Sequence, residues 1–277
     1  MRGIVKYPGS KWNIASKLVN LIPEHHSYLE PFFGSGAILF TKSPSRIETI
    51  NDRNGDVVNL FQCIQDDPER LARLVMTTPY SREAYDVACQ AQAEEDPYKR
   101  ALQFLIRNCQ GFGYRANGQK VGWKNDIQGR ERAYALLNWY HLPEQVVEMA
   151  ERLRKVQIEN RPALELIPRF NYENVFMYLD PPYLLQTRVG KRKQYQYEMA
   201  DDEHEELLKT ILRSKAKIMI SGYDSELYND YLSGWERQQF MSCAEKGSPR
   251  VETVWLNYKT EKQIEFADLF TDANFLA

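Results

Sequence analysis

The chain has 277 residues, 43% of them hydrophobic and 27% charged, with a formal net charge of -2. That balance predicts an ordinary soluble globular protein, as one large domain or one domain carrying a sizeable insertion. No apolar run approaches the ~20 residues that span a membrane, and the N-terminal "MRGIVKYPGSKW" lacks the apolar stretch of a secretory signal.

From the N-terminus onward, "NIASKLVNLI" (Asn13 to Ile22) has apolar residues at helical spacing. "HSYLE" (His26 to Glu30) predicts a short strand, which runs through "PFFGSG" into a helix starting at Ala37. "RIETIND" (Arg46 to Asp52) predicts a second strand with a polar end. Asn54 and Gly55 then turn the chain into a helix from Asp56 to about Gln65. A βαβα unit of this kind implies a parallel sheet with helices on its faces. From Pro68 to about Lys155 the pattern is helical, as in "SREAYDVACQAQA" and "EQVVEMAERLRKV", with no buried strand. Within it, "GFGYRANGQKVGWKNDIQGR" predicts an irregular exposed loop or hairpin. Its Phe112, Tyr114 and Trp123 serve either a small local core or a ligand. Strands return at "VFMYL" (Val175 to Leu179), "AKIMIS" (Ala216 to Ser221), "WERQQFM" and "ETVWLNY", with an acid-capped helix at "DDEHEELLKTILRS". The predicted architecture is an open α/β sheet at 1–66 and 156–277, interrupted by a helical insertion at 67–155.

The four cysteines form no C-x-x-C pair and the four histidines lack ligand spacing, which predicts reduced thiols, an intracellular chain and no metal site. The basic residues are unevenly spread. Between 107 and 132, Arg107, Arg115, Lys120, Lys124, Arg130 and Arg132 outnumber Asp126 and Glu131. Between 184 and 197, Arg188, Lys191, Arg192 and Lys193 meet no acid. Two such clusters in a slightly acidic chain fit either solvated faces or a phosphate-facing surface.

Ligands of open α/β sheets bind beyond the carboxyl ends of the strands, and three such ends are marked. In "LEPFFGSG", Gly34 and Gly36 let backbone approach a ligand closely. In "IND", Asp52 suits ribose hydroxyls or a helix cap. In "MYLDPPYLL", Asp180, Pro181, Pro182 and Tyr183 stiffen a corner just past a buried strand.

In this order, with a long insertion before the last, these motifs resemble those of the Dam-type DNA adenine N6-methyltransferases (D12 class, alpha group). "KYPGSK" (Lys6 to Lys11) resembles that family's N-terminal cofactor motif, usually K-W-x-G-G-K. Tyr7 stands for the Trp and Ser10 for the second Gly. "ISGYD" and "VETVWLNY" resemble its later strand motifs. The resemblance implies a Rossmann-like sheet that binds S-adenosylmethionine and a mostly helical insertion that selects the DNA sequence. It implies methyl transfer to a flipped adenine in double-stranded DNA, and a cytoplasmic enzyme of a bacterium or phage. The expected partner is double-stranded DNA, with no membrane and no metal. A monomer in solution is expected, and pairing on DNA stays open.

By the same resemblance Tyr7, Lys11, Phe32, Gly34, Gly36, Asp52, Asn160 and Asp180 hold the cofactor, with Glu159 beside Asn160, while Glu30 either meets the cofactor's ammonium group or serves as a helix N-terminal charge. Arg115, Asn117, Gln119, Lys124, Arg188, Lys191, Arg192 and Lys193 are the candidates for DNA contact, and Arg250 for a phosphate contact or a solvated hairpin tip. The residues suit the chemistry. The amine of adenine is conjugated with its ring and is a poor nucleophile. Asp180 and the Pro181 carbonyl can accept its two N–H bonds and turn the lone pair outward, while Tyr183 offers a ring for stacking. Taking the base out of the duplex costs a few kcal/mol, which stacking and phosphate contacts can offset. A cytosine C5-methyltransferase needs a nucleophilic Cys, in that family after a proline, and here Gln62, Ala88, Asn108 and Ser242 precede the four cysteines. A cytosine N4-methyltransferase uses the same amine logic, though its motif more often begins with Ser. A non-catalytic DNA-binding regulator is the other alternative.

Overall fold

The computed structural model describes residues 3–90, 94–113, 116, 119–125, 135–188, 193–243 and 249–260. The chain opens with the short helix α1 (Ala15–Val19) and then alternates β1 (Ser27–Glu30), α2 (Ala37–Thr41), β2 (Ile47–Asn51) and α3 (Gly55–Asp66). The helices α4 (Pro68–Met76), α5 (Arg82–Gln90), α6 (Pro97–Gln110) and α7 (Ala135–Leu153) follow. Next come β3 (Val156–Glu159), α8 (Ala163–Leu166), β4 (Val175–Leu179), α9 (Asp201–Leu212), β5 (Lys217–Gly222), α10 (Glu226–Tyr231), β6 (Glu236–Cys243) and β7 (Pro249–Leu256). Local chemistry sets several of these starts. Asn54 caps α3 by accepting from the Asp56 N–H at 2.9 Å, and Asp96 caps α6 with Pro97 in its first turn.

The seven strands lie in the order β3-β2-β1-β4-β5-β7-β6. The first five in that order run parallel to one another, and β7 runs antiparallel to both β5 and β6. β1 lies between β2 and β4, so the chain winds away from β1 on one side and later returns on the other. That is the topological switch point, where a crevice opens beyond the strand ends.

The central strands are covered on both faces, which explains the uninterrupted apolar run of "VFMYL". Phe176 and Tyr178 of β4 join one core with Tyr28 and Met219. Val175, Met177 and Leu179 join the other with Leu29, Ile218 and Ile220. Each such side chain contributes ~1.5–3 kcal/mol on burial, and the sheet holds its strand ends in place accordingly. α9 and α10 cover the second core, through Leu207, Leu208, Ile211 and Tyr228. The first core runs without a break from Leu18, Ile38 and Phe61 into Tyr85, Phe104, Leu105, Trp139 and Met149 of the helical insertion.

The predicted strands and most predicted helices lie within a few residues of those observed; α7 starts well before the predicted Glu144, and the sequence pattern predicts neither β3 nor the short helices α8 and α10. Among the described residues no helix is long and apolar enough to cross a membrane.

Candidate active site

β4 ends where Pro181 and Pro182, lacking N–H donors, cannot continue a ladder. The residue delivered there is Asp180. Its Oδ2 accepts from the Lys11 ammonium at 2.9 Å, while Oδ1 is buried with no hydrogen-bond partner among the described residues. Lys11 is itself buried and also donates to the Gly9 carbonyl. Burial favours loss of its proton, but Asp180 and Glu252 outweigh that and hold its pKa above the ordinary lysine value, so the ammonium is charged at neutral pH. Burial pushes the Asp180 carboxyl upward against the opposing pull of Lys11. Lys11 therefore joins the N-terminal motif to the Asp180 corner, and its expected place at the cofactor is shared with Asp180.

A cavity of about 990 Å³, open mouth included, lies beyond the ends of β1, β2 and β4. Tyr7, Lys11, Glu30, Phe32, Gly34, Asp52 and Asp180 all line it, as expected for a cofactor site. Gly34 has φ +51°, a conformation that favours glycine, and an added Cβ would sit 3.0 Å from the Tyr7 ring, a tight approach that would press on that ring. Gly36 does not line the cavity. It caps α2 at φ +70°, and a Cβ there would strike Phe33 and Phe40, so its role is aromatic packing beneath the turn. Asn160 is also displaced from the cavity wall. It is exposed and donates from Nδ2 to the Asp52 carbonyl at 2.7 Å, and neither it nor Glu159 lines the cavity. The chain after β3 reaches the cavity one turn later, with Pro162, Ala163 and Leu164.

Two buried carboxyls carry the electrostatics. Asp52 accepts from the Gly34 N–H and the Asn54 N–H, each at 2.8 Å, which fixes both oxygens at the cavity edge. Burial still raises its pKa to about 6. Glu30 accepts from the Tyr28 hydroxyl at 2.8 Å, and burial raises it to about 8. A carboxyl so poised is suited to a cationic ligand group, which would restore its charged form. The set fits S-adenosylmethionine: a carboxyl for the ammonium, another for ribose hydroxyls, apolar walls from Phe32 and Leu164, and an acceptor at the catalytic end.

The far wall was not legible in the basic reading of 184–197. Tyr195, Tyr197, Met199 and Glu203 line the cavity. Tyr195 donates to the Pro8 carbonyl at 2.9 Å and its ring lies 5.8 Å from that of Tyr7. Arg53 sits over the Tyr197 ring at 5.0 Å. The alternating aromatics of "QYQY" were the available signal. The expected DNA contact of Arg188 is corrected here. Its guanidinium is buried, donates to Glu198 at 2.9 Å and also donates to the Tyr183 carbonyl. It braces the corner from behind and does not face solvent. Lys193 is exposed, while Lys191 and Arg192 lie outside the described residues.

In the insertion, Gly111 pairs with Trp123, which closes the expected hairpin at its base. Gln119 is exposed and Lys124 half-buried on this hairpin, and Arg115, Asn117 and Tyr114 lie outside the described residues. Trp123 stacks near Tyr80 at 5.6 Å and beneath Arg82 at 4.8 Å, which makes it part of the insertion's own packing. Arg250 is half-buried and donates to the Tyr223 hydroxyl at 2.7 Å, so it is not a solvated hairpin tip. Tyr183 is more enclosed than a stacking platform requires. Its hydroxyl lies near Asp180 but donates to Glu252 at 2.6 Å, and Tyr223 meets its ring edge-on at 4.6 Å. Among the described residues no group of three or more His, Cys, Asp or Glu could hold a metal ion.

Comparison with known proteins agrees with this geometry. A type II methyltransferase of Lactococcus lactis subsp. cremoris is 25% identical over 251 residues, covering 83% of this chain and 86% of the relative. A type II methyltransferase of Methanocaldococcus jannaschii is 24% identical over 289 residues, covering 92% and 97%. A DNA adenine methylase of Haemophilus influenzae is 23% identical over 248 residues, covering 84% and 83%. The family model for D12 class N6 adenine-specific DNA methyltransferases matches residues 7–247, which include the glycine turn, Asp52 and the Asp180 corner. The chain belongs to the D12 class of N6 adenine-specific DNA methyltransferases.

Proposed function

We propose that Asp180 and the Pro181 carbonyl accept the two N–H bonds of a flipped adenine, the carboxylate through its unpartnered Oδ1. The single observation behind this reading is that one oxygen of Asp180 is engaged by Lys11 while the other, in a residue that lines the cavity, is buried with no hydrogen-bond partner among the described residues. Two acceptors favour a pyramidal amine and direct its lone pair along one line. Proline holds the carbonyl's direction, and alignment provides most of the acceleration. When bound, S-adenosylmethionine supplies an electrophilic methyl group on a sulfonium. Glu30, Asp52, Tyr7, Phe32 and Gly34 position it, and Lys11 opposes the upward push of burial on the Asp180 carboxyl while holding the N-terminal motif against the corner. No covalent enzyme intermediate is required. Pro182 and Tyr183 complete the corner, with Tyr183 supporting the base once its ring is uncovered.

The insertion at 67–155 serves as the target-recognition part, with Arg115, Asn117, Gln119 and Lys124 as candidates for base or phosphate contact. Lys191, Arg192 and Lys193 are proposed to meet phosphates at the pocket rim. The reading is of a cytoplasmic enzyme, monomeric in solution. The decisive experiment compares wild type and Asp180→Ala on unmethylated DNA with labelled cofactor, followed by mass spectrometry of nucleosides. The expected result is N6-methyladenine from wild type and at least a thousandfold lower rate from the variant, with its fold retained. Turnover of the variant above a tenth of wild type would refute the role of Asp180. Long-read mapping of methylated adenines in a host expressing the chain identifies the recognition sequence.

A further inference from the structure

Arg250 and Glu252 are two residues apart on β7 and so share one face of that strand. Each holds the hydroxyl of a different tyrosine. Glu252, only 4% exposed, accepts the proton of Tyr183 at 2.6 Å. Arg250 donates to Tyr223 at 2.7 Å, with its guanidinium 5.7 Å from the Tyr223 ring centroid. The two rings meet edge-on, 73° apart with centroids 4.6 Å apart.

That geometry has a steric consequence. The Lys11 ammonium lies over the Tyr183 ring at 4.9 Å, so one face of Tyr183 is taken. A planar base between two ring faces needs about 7 Å, since carbon atoms in contact lie ~3.5–4.0 Å apart. No such slot exists between Tyr183 and Tyr223. For a base to enter between the two rings one of them has to move, and their anchors differ. Tyr183 is buried, follows two prolines and is tied to a buried carboxylate. Tyr223 is half-buried, follows the end of β5 at Gly222, and its hydroxyl is held, among the described residues, by the half-buried Arg250.

We propose that β7 carries a latch on the target-base slot: Glu252 fixes Tyr183, and Arg250 holds Tyr223 across it until a base displaces it. This rests on the reading that the flipped base is received at Tyr183. Neither residue touches the reacting amine, so both are positioning residues. Stabilising the closed state lowers the fraction of enzyme competent to take a base, and apparent DNA affinity falls by that fraction.

The test uses the full chain with labelled S-adenosylmethionine and unmethylated plasmid DNA. kcat and the KM for DNA are measured separately, and cofactor binding is followed by calorimetry. Tyr223→Phe keeps the ring and removes the Arg250 bond, so its KM for DNA is expected to fall about threefold, raising kcat/KM. Glu252→Ala is expected to lower kcat tenfold or more while cofactor binding is retained. Glu252→Gln still accepts the Tyr183 proton and should recover kcat to within about threefold of wild type. Should Glu252→Ala fail to fold, Tyr183→Phe carries the same tenfold expectation. An unchanged or higher KM for Tyr223→Phe overturns the latch. Equal kcat losses for Glu252→Gln and Glu252→Ala overturn the positioning role of Glu252. Full turnover by Asp180→Ala would instead overturn the reading beneath both.

Discussion

Asp180, Lys11 and Glu30 show how burial and neighbouring charge set the chemistry of a site. Asp180 was marked in the sequence by its place between an apolar run and two prolines. Its bond to Lys11, 169 positions away, was not legible, because nothing local to either residue requires the other. Glu30 gives a pH prediction. Its folded pKa is about 8 against an ordinary 4.5, so the folded protein binds a proton that the unfolded chain gives up. The resulting stability is full below about pH 4.5 and is lost as pH rises through about 8. Glu30→Gln should therefore raise stability at pH 8 by on the order of 1–3 kcal/mol and much less at pH 5, as read by urea unfolding at the two pH values. The same variant should bind S-adenosylmethionine about tenfold more weakly, because a neutral amide is a poorer partner for an ammonium.

The strap from Lys6 to Lys11 has no regular secondary structure, yet it lines the cavity. α6 holds it. The Asn108 side chain accepts from the Lys6 N–H at 2.7 Å and donates to the Lys6 carbonyl at 2.8 Å, mimicking a strand partner. Asn108 is fully buried, and its polarity on an otherwise apolar helix face was the signal available in the sequence. Asn108→Ala should cost about 1–3 kcal/mol of stability, since it leaves the N–H and carbonyl of the half-buried Lys6 without their side-chain partner. It should also weaken cofactor binding severalfold. Denaturant unfolding and calorimetry check the two effects together. β3 went unread for a different reason. Its four residues include one buried position, so it carries no apolar run, and pairing with β2 defines it. β4 and β5, covered on both faces, were plain.

The insertion is joined to the sheet by charge as well as by packing. Arg152 of α7 makes a fork with Glu48 of β2, and Glu48 also accepts from Lys42 at 2.6 Å. All three side chains are largely buried. Arg152→Ala strips one partner from this network and should cost about 3 kcal/mol, with Glu48→Gln recovering part of it in the double variant. Differential scanning calorimetry of the three proteins tests this. Neutralising Lys191, Arg192 and Lys193 together should weaken DNA binding and lower the slope of log affinity against log salt by up to about 3. An unchanged slope in a salt titration would return that cluster to a solvated face. Arg188 is deliberately left out of that variant, because its guanidinium braces Tyr183 and Glu198 inside the protein.

Local order in the chain was enough to identify the parallel sheet, the glycine turn, Asp52 and the Asp180 corner. Strand burial, turn geometry and the loss of N–H donors at proline are properties of neighbouring residues. The partners of those residues were a matter of tertiary structure. Sheet order brings β1, β2 and β4 side by side, and only then do Lys11 and Asp180 meet and Pro162 to Leu164 replace Asn160 on the cavity wall. Folding also decides which charges face water. Arg188 and Lys193 look alike in the sequence, and one is buried against Glu198 while the other is exposed. The opposition of Glu252 to Tyr183 and of Arg250 to Tyr223 arises because β7 enters the sheet antiparallel beside β5, a pairing between segments roughly thirty residues apart that no local pattern specifies.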